Sequence, residues 1–205
     1  MSNTIKTIEK FSEFKLKEKG SVFIAQVYHV EDEEEVQREL EKVRKKYYDA
    51  THHCYAFQLL NGTEKYSDDG EPAGTAGIRI LSAIKHFEAV NILLIVIRYF
   101  GGTKLGVGPL GKAYYNSAFE LLQNSQIVEK KNYVKLKIFF EYELTNKVHF
   151  ALSKFKAKKI KNKYEKTPVI VCYIEADKTE SFIKHLIETT GNKVEVQTSE
   201  QTFLL

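Results

Sequence analysis

The sequence has little of several residue types that mark special classes of protein. Among its 205 residues are two cysteines, three prolines and no tryptophan. Cys54 and Cys172 are far apart, so no disulfide framework is expected, and a reducing cytoplasm is the expected location. The longest apolar run, residues 92–97, is too short to cross a bilayer, and the N-terminus lacks the basic and apolar blocks of a secretory signal. We therefore expect a cytoplasmic protein with no membrane partner.

The composition is that of a folded protein with an uneven distribution of charge. Hydrophobic residues make up 43% and charged residues 28%, which excludes a disordered or fibrous chain. Residues 127–205 carry 15 Lys against 10 Asp and Glu, whereas residues 1–126 carry 16 Lys and Arg against 17 Asp and Glu. The basic excess of the C-terminal part favours an anionic partner, although it also serves solubility.

Residues 1–126 form a first segment in which strand and helix patterns alternate. Nine of the eleven glycines lie between Gly62 and Gly111, within this segment. Apolar periodicity, capping residues and turn pairs predict its elements. The first three are a strand over 22–28, a helix over 32–48 capped by Asp32 and Glu35, and a strand over 53–60. A helix capped by Thr75, a strand over 91–98 that is buried on both faces, and a helix with Pro109 in its first turn follow.

Residues 127–205 form a second segment with a different pattern. Strands are predicted over 133–140, 155–164, 169–175 and 193–199, and helices over 144–153 and 179–189. This βαββαβ order is the ferredoxin-like plan of four antiparallel strands with two helices on one face. The fold class is therefore α+β with two domains, residues 1–126 and 127–205.

Two glycine-rich stretches, residues 67–77 and 98–114, are predicted to be loops that enter helices. Helix N-termini attract anions, so either loop could hold a phosphate or a carboxylate. If the loops adjoin, their opposite charges form a mixed-charge cleft. The candidate ligand-binding or partner-binding residues are Asp68, Asp69, Glu71, Thr75, Arg98, Lys104 and Lys112.

These stretches also resemble the signature of a known family. The residues are H-C-Y-A at 53–56, D-D-G-E-P-x-G-T-A-G at 68–77 and R-Y-F-G-G-x-K-L-G-x-G at 98–108. They are similar to the IMPACT family in its bacterial, YigZ-like branch. The sequence departs from that pattern at Arg79, Pro109 and Lys112, where the family usually has Pro, Gly and Arg. A lysine at position 112 lacks the planar, bidentate binding of an arginine.

The resemblance implies a fold and a cellular context. It implies an N-terminal left-handed βαβ domain like domain IV of elongation factor G, and a C-terminal ferredoxin-like domain like its domain V. Eukaryotic members of the family are regulators of translation that bind a ribosome-associated activator of a stress kinase. Because a fold does not fix a function, the link to translation is an association.

The same stretches contain residue types that can bind metals, catalyse reactions or bind dinucleotides. The carboxylates of the first loop could coordinate a hard cation or act as an acid and base, but no matching cluster accompanies them, and a solvated turn is the simpler interpretation. His52 and Cys54 share one strand face, which supplies two ligands where structural zinc needs four. The string at Gly106, Gly108 and Gly111 does not follow a strand directly, as a dinucleotide fingerprint must. We predict no catalytic residue, no metal site and no cofactor.

Residues 154–166 carry seven lysines and one acidic residue, Glu165. Phe155, Ile160 and Tyr164 are interleaved, which predicts a strand with lysines towards solvent and apolar side chains towards the helices. Two interpretations remain open: a platform for a phosphate backbone, or an edge strand protected by lysine against aggregation. The RNA-binding candidates are Lys154, Lys156, Lys158, Lys159, Lys161 and Lys163.

Three hypotheses of function follow. The first is a non-catalytic, translation-associated protein that binds RNA, the ribosome or a translation-related protein. The alternative is a small enzyme or sensor with a phosphorylated or nucleotide ligand in the glycine-rich cleft. The third is a protein-interaction module that uses the charged helix over 32–48 as its docking face.

Overall fold

The computed structural model describes residues 4–164 and 167–205, except for the side chains of residues 164 and 200–202. Two compact units are present: Ile5–Glu129, and Lys130–Leu205 together with Thr4. The domain division after residue 126, taken from the sequence, remains a proposal. Glu165 and Lys166, at the end of the lysine-rich stretch, lie outside the described residues.

The first unit is built on a five-stranded antiparallel sheet. Its elements are β2 (Ser12–Glu18), β3 (Ser21–His29), α1 (Glu33–Lys46), β4 (His52–Gln58), β5 (Glu64–Ser67), α2 (Gly77–Phe87), β6 (Ile92–Tyr99) and α3 (Val107–Gln123). The strand order is β2-β3-β6-β4-β5. Because β3 and β4 are both antiparallel to β6, the β3-α1-β4 connection joins two parallel strands across it.

Helices cover both faces of this sheet. On one face, α1 contributes Val36, Leu40 and Val43 to a core with Leu93 and Ile95 of β6. The helices α2 and α3 pack on the other face, where Leu94 and Val96 of the same strand are buried. The prediction that this strand is buried on both faces is therefore confirmed, since every residue from Ile92 to Arg98 is buried.

Local signals define α1 as the sequence predicts. Asp32 accepts a hydrogen bond from the Glu35 N–H at 2.8 Å, and the Glu35 carboxylate accepts one from the Glu31 N–H at 2.8 Å. Three strands had no such signal and were not predicted: β1 (Thr4–Ile8), β2 and β5. The last two lie at the edges of the sheet, where charged residues alternate with few apolar ones.

The second unit has the predicted ferredoxin-like plan. Its elements are β7 (Ile127–Phe140), α4 (Thr145–Lys154), β8 (Lys158–Tyr164), β9 (Pro168–Glu175), α5 (Thr179–Thr190) and β10 (Val194–Leu204). The strand order of this unit is β10-β7-β9-β8. Both helices pack against the sheet face that carries Leu136, Ile138, Ile170, Cys172 and Ile174. Among the described residues, none of the helices combines the length and apolar character that crossing a membrane requires.

Candidate functional site

The two glycine-rich loops meet in space, which the sequence left open. They enclose a pocket of about 390 Å³, which we call the Gly-rich pocket. Its lining comes from the first loop, the end of β6, the second loop and the start of α3. The lining residues are Glu71, Pro72, Arg98, Phe100, Lys104, Leu105, Gly106, Val107 and Leu110.

A buried ion pair closes one side of this pocket. Arg98 Nη1 donates to Glu71 Oε1 at 2.6 Å, and the two side chains are 6% and 4% exposed. The hydroxyl of Tyr114 donates to the same oxygen at 2.7 Å. Arg98 Nη2 lies 3.3 Å from Ser21 Oγ, while its Nε has no hydrogen-bond partner among the described residues. The charge of Arg98 is thus already balanced by Glu71.

Asp68 is committed to the backbone. Its carboxylate accepts the N–H groups of Gly74 at 2.8 Å, Ala76 at 2.9 Å and Gly77 at 2.7 Å. Thr75 was predicted to cap α2, and this is wrong, because its hydroxyl donates to Pro72 O at 2.6 Å. The carboxylate already supplies the negative charge that a helix N-terminus attracts, so the start of α2 does not offer a phosphate site.

Asp69 and its histidine neighbours fasten the first loop to β4. Asp69 Oδ2 accepts the His53 N–H at 2.6 Å, and Asp69 Oδ1 lies 3.6 Å from Arg44 Nη2. His52 Nδ1 is 2.7 Å from Asp69 O, and His53 Nε2 is 3.0 Å from the carbonyl oxygen of Tyr47. These contacts give both histidines a structural role in holding the loop.

Cys54 lies behind the same loop. Its thiol is 3.0 Å from Asp68 O and 3.4 Å from the hydroxyl of Tyr114. Burial raises the pKa of Cys54 to about 12, and burial likewise raises the pKa of Tyr114 far above its ordinary value. Both groups stay protonated at neutral pH. In the part of the chain that the structure describes, no group of three or more His, Cys, Asp or Glu residues could hold a metal ion.

The start of α3 differs from that of α2. The helix begins after Gly106, whose φ is +85°, and no side chain caps it. Lys104 lies beside it in the pocket lining and is exposed. Lys112 is exposed on α3 and does not line the pocket. The pocket therefore unites Glu71, Arg98 and Lys104, whereas the other candidates of the first unit lie outside it.

Lysines of the second unit gather on the sheet face that is free of helices. Across β8 and β9, Lys158 pairs with Tyr173, Lys161 with Val171 and Lys163 with Val169. Across β7 and β9, Lys135 pairs with Tyr173 and Lys137 with Val171. Since side chains alternate along a strand, all of these point away from the face packed on the helices. We call this surface the lysine face, formed by Lys135, Lys137, Lys158, Lys161, Lys163 and Tyr173.

The remaining predicted lysines are placed differently. Lys154 ends α4, and Lys156 follows it with a φ of +53°. Lys159 lies in a register shift of β8 with a φ of +46°, and its Nζ is 5.7 Å from the centre of the Tyr173 ring. The same shift leaves Ile160 43% exposed, so the prediction that Ile160 faces the helices is wrong.

Three members of the lysine face were missed by the sequence reasoning: Lys135, Lys137 and Tyr173. Over residues 135–139, lysine and phenylalanine alternate with the buried aliphatic residues Leu136 and Ile138, and this period of two could have located the β7 lysines. The position of Tyr173 between lysines could not be predicted from the sequence, because it depends on which strands lie on either side of β9.

Known proteins resemble this chain along most of its length. Residues 19–122 match the Impact N-terminal domain. The chain is 32% identical to IMPACT family member YvyE of Bacillus subtilis, over 97% of this chain and 92% of that protein. It is 28% identical to IMPACT family member YigZ of Escherichia coli, over 89% and 92%. A crystal structure described as that of a hypothetical protein superposes with a TM-score of 0.68 at 26% identity, covering 98% of this chain and all of the other. This chain belongs to the IMPACT family.

Proposed function

We propose that this protein is a non-catalytic, translation-associated protein of the cytoplasm that binds RNA, free or in the ribosome, through the lysine face. The observation that carries the proposal is the placement of five lysines on one sheet face, two of which, Lys135 and Lys158, lie opposite Tyr173. The cytoplasmic location is supported by Cys54 and Cys172, which are both buried and free.

Two of these lysines, Lys135 and Lys137, favour a phosphate platform over the protection of a sheet edge. Lysine protects a sheet at its edge, and β8 is an edge strand. However, Lys135 and Lys137 lie on β7, which has β9 on one side and β10 on the other, so protection of an edge gives no reason for them. A platform for phosphates requires charge across the whole face, which these residues provide.

Aromatic rings are interleaved with the charges. Lys137 Nζ lies 4.7 Å from the centre of the Phe139 ring, and Tyr173 and Phe203 pack edge to face with their centres 5.2 Å apart. Lys135 and Lys137 also line a groove of about 300 Å³ with residues of β10. Lysines that track a backbone and rings that stack on bases are the usual means of binding single-stranded RNA. A four-stranded sheet with aromatic residues on its central strands is also used by the common RNA-recognition module, an analogy of architecture.

The acidic residues near this face do not cancel its charge. The register also places Glu175 and Glu195 on it, opposite Tyr133 and Phe139 of β7. Glu175 is held by Lys178 at 2.6 Å and by Lys131 at 3.4 Å. The lysine face therefore keeps a positive balance.

The alternative function, a phosphorylated or nucleotide ligand in the first unit, has weaker support. Arg98 is already paired with Glu71, and the start of α2 is already bonded to Asp68. The third hypothesis, docking through α1, is supported by the charged character of that helix and by no further contact. A translation-related protein remains the expected second partner under the first hypothesis.

The test compares two matched pairs of lysines. Lys161→Gln/Lys163→Gln changes the lysine face, and Lys15→Gln/Lys17→Gln changes two exposed lysines at the same spacing on β2, the edge strand of the other sheet. Binding of a fluorescent single-stranded RNA and co-sedimentation with ribosomes would be measured over a range of salt. Each lost phosphate contact lowers the slope of log K against log salt by about 0.7, so we expect a loss of about 1.4 in the first variant.

The control pair should leave the slope and the ribosome pelleting unchanged. Equal effects of both pairs would mean that net charge alone governs binding, and the lysine face would not be the site. Pelleting that survives RNase and high salt would point to a protein partner and overturn the proposal of RNA binding.

A further inference from the structure

We propose that the Gly-rich pocket binds a small organic carboxylate with an apolar body. This goes beyond the proposed function, since it concerns another unit of the chain, another surface and another class of ligand.

The size and walls of the pocket fit such a molecule. Its volume of about 390 Å³ falls in the range of small-molecule sites. Apolar side chains form most of its lining, from both loops and from α3. Phe100 and Val107, which both line the pocket, are 46% and 69% exposed. An apolar ligand would remove this surface from water.

Positive groups converge on the pocket without a full set of partners. The N-terminus of α3, a helix of 17 residues, has no side-chain cap, unlike that of α2. Lys104 lies beside it and has no ion-pair partner within the described residues. Arg98 also lines the pocket, but its guanidinium is bonded to Glu71 and its unpartnered Nε is buried. The negative charge of a ligand would therefore be bound by Lys104 and the helix N-terminus.

The charge balance selects a single negative charge. Among the lining residues, the charges of Glu71 and Arg98 cancel, which leaves the one charge of Lys104 and the partial charge of the helix. A phosphate monoester carries about −1.5 to −2 at pH 7, which is more negative charge than Lys104 alone balances. A carboxylate brings one charge and matches the site.

The experiment uses three probes of similar shape and the full chain. These are 3-phenylpropionate, its uncharged amide 3-phenylpropionamide, and phenyl phosphate, each titrated by calorimetry and by saturation-transfer NMR. We expect saturable binding of the acid, with at least tenfold weaker binding of the amide. Lys104→Met should weaken the acid about fivefold, the effect of one exposed charge at a helix N-terminus.

Lys112→Met is the matched control, because Lys112 is an exposed lysine on α3 that does not line the pocket. It should bind the acid as the wild type does. Three results would overturn the proposal: no saturable binding of 3-phenylpropionate at millimolar concentration, tighter binding of phenyl phosphate than of the acid, or equal losses in Lys104→Met and Lys112→Met. Both variants should keep the RNA affinity of the wild type, which separates this test from that of the lysine face.

Discussion

Arg98 and Glu71 form a salt bridge of 2.6 Å in which neither side chain is more than 6% exposed. The pair joins the end of β6 to the first glycine-rich loop. Glu71→Gln keeps the shape of the side chain and removes its charge, which leaves the Arg98 guanidinium buried without a counterion. Breaking a buried pair in this way costs about 3–5 kcal/mol. We expect a loss of this size in the free energy of unfolding, measured with urea.

The matched control for this change is Glu64→Gln. Glu64 pairs with Lys85 at 2.8 Å, but both side chains are at least 40% exposed. Exposed pairs contribute little, so the urea midpoint should hardly move. Equal shifts in the two variants would show that Arg98 finds another partner or solvent when Glu71 loses its charge.

Asp68→Ala should destabilise the protein more than Asp32→Ala. Asp68 accepts the N–H groups of Gly74 and Ala76, which precede α2, and of Gly77, its first residue. Asp32 accepts one N–H group, that of Glu35 in α1. Loss of an ordinary N-cap costs about 1 kcal/mol, and each hydrogen bond to a charged group contributes about 1.5–3 kcal/mol. Thermal unfolding of both variants would show the difference. A smaller loss at Asp68 than at Asp32 would contradict its role as the cap of α2.

Gly77→Ala should destabilise α2 by steric overlap. A Cβ at Gly77 would lie 2.7 Å from the backbone oxygen of Ser67. Because the obstacle is backbone, we expect a cost of about 1–3 kcal/mol in the free energy of unfolding. Gly108→Ala, in the first turn of α3, is the matched control, since its Cβ would meet nothing within 4 Å. That variant should be neutral or slightly more stable, and a loss there equal to that of Gly77→Ala would refute the steric explanation.

The thiols should react slowly in the folded protein. Burial raises the pKa of Cys54 and that of Cys172 from 9.0 to about 12. At about pH 8 this leaves about a thousandfold less thiolate than in the unfolded chain. The alkylation rate of the folded protein should keep rising as pH approaches 12, whereas the rate in urea levels off above 9. Iodoacetamide labelling followed by mass spectrometry measures both rates.

The raised pKa of the two thiols also makes the stability of the protein depend on pH. A raised thiol pKa means that the contribution of the neutral thiols to stability is fully present below pH 9 and is lost as the pH rises towards 12. Fast labelling of Cys54 in the folded protein at neutral pH would contradict the protonated, buried thiol.

Tyr173→Ala should weaken RNA binding without changing its salt dependence. Loss of one stacking ring costs about 1–3 kcal/mol of binding free energy, while the count of phosphate contacts stays the same. Tyr66→Ala is a suitable control, because Tyr66 is exposed on β5 of the other sheet. RNA titrations at several salt concentrations test this. A change of slope without a change of affinity would assign Tyr173 a different role.

Elements with local sequence signals were predicted correctly. Contacts between segments that are distant in sequence were not predicted. The helix α1 and strand β6 follow from capping residues and apolar runs within their own bounds. The bonding of Asp68 to Gly77 depends on how the loop returns to α2, which periodicity does not describe. The face on which Ile160 lies was predicted wrongly because Lys159 has a positive φ and lies in a register shift of β8. No residue type in the sequence signals such a shift. The pairing of Glu71 with Arg98 likewise required the two loops to be adjacent.

Because β6 is buried on both faces, the part of the Gly-rich pocket that this strand forms is rigid. Amides of that strand are expected to exchange with solvent only when the whole first unit unfolds, since their bonds lie at the centre of the sheet. Arg98, at the end of this strand, is therefore a rigid part of the pocket wall. Leu105 of the second loop is 7% exposed and belongs to the core of the first unit, so this side of the pocket is also held by the fold. The walls formed by Arg98 and Leu105 should therefore keep their shape until that core opens, and a ligand would meet a preformed site.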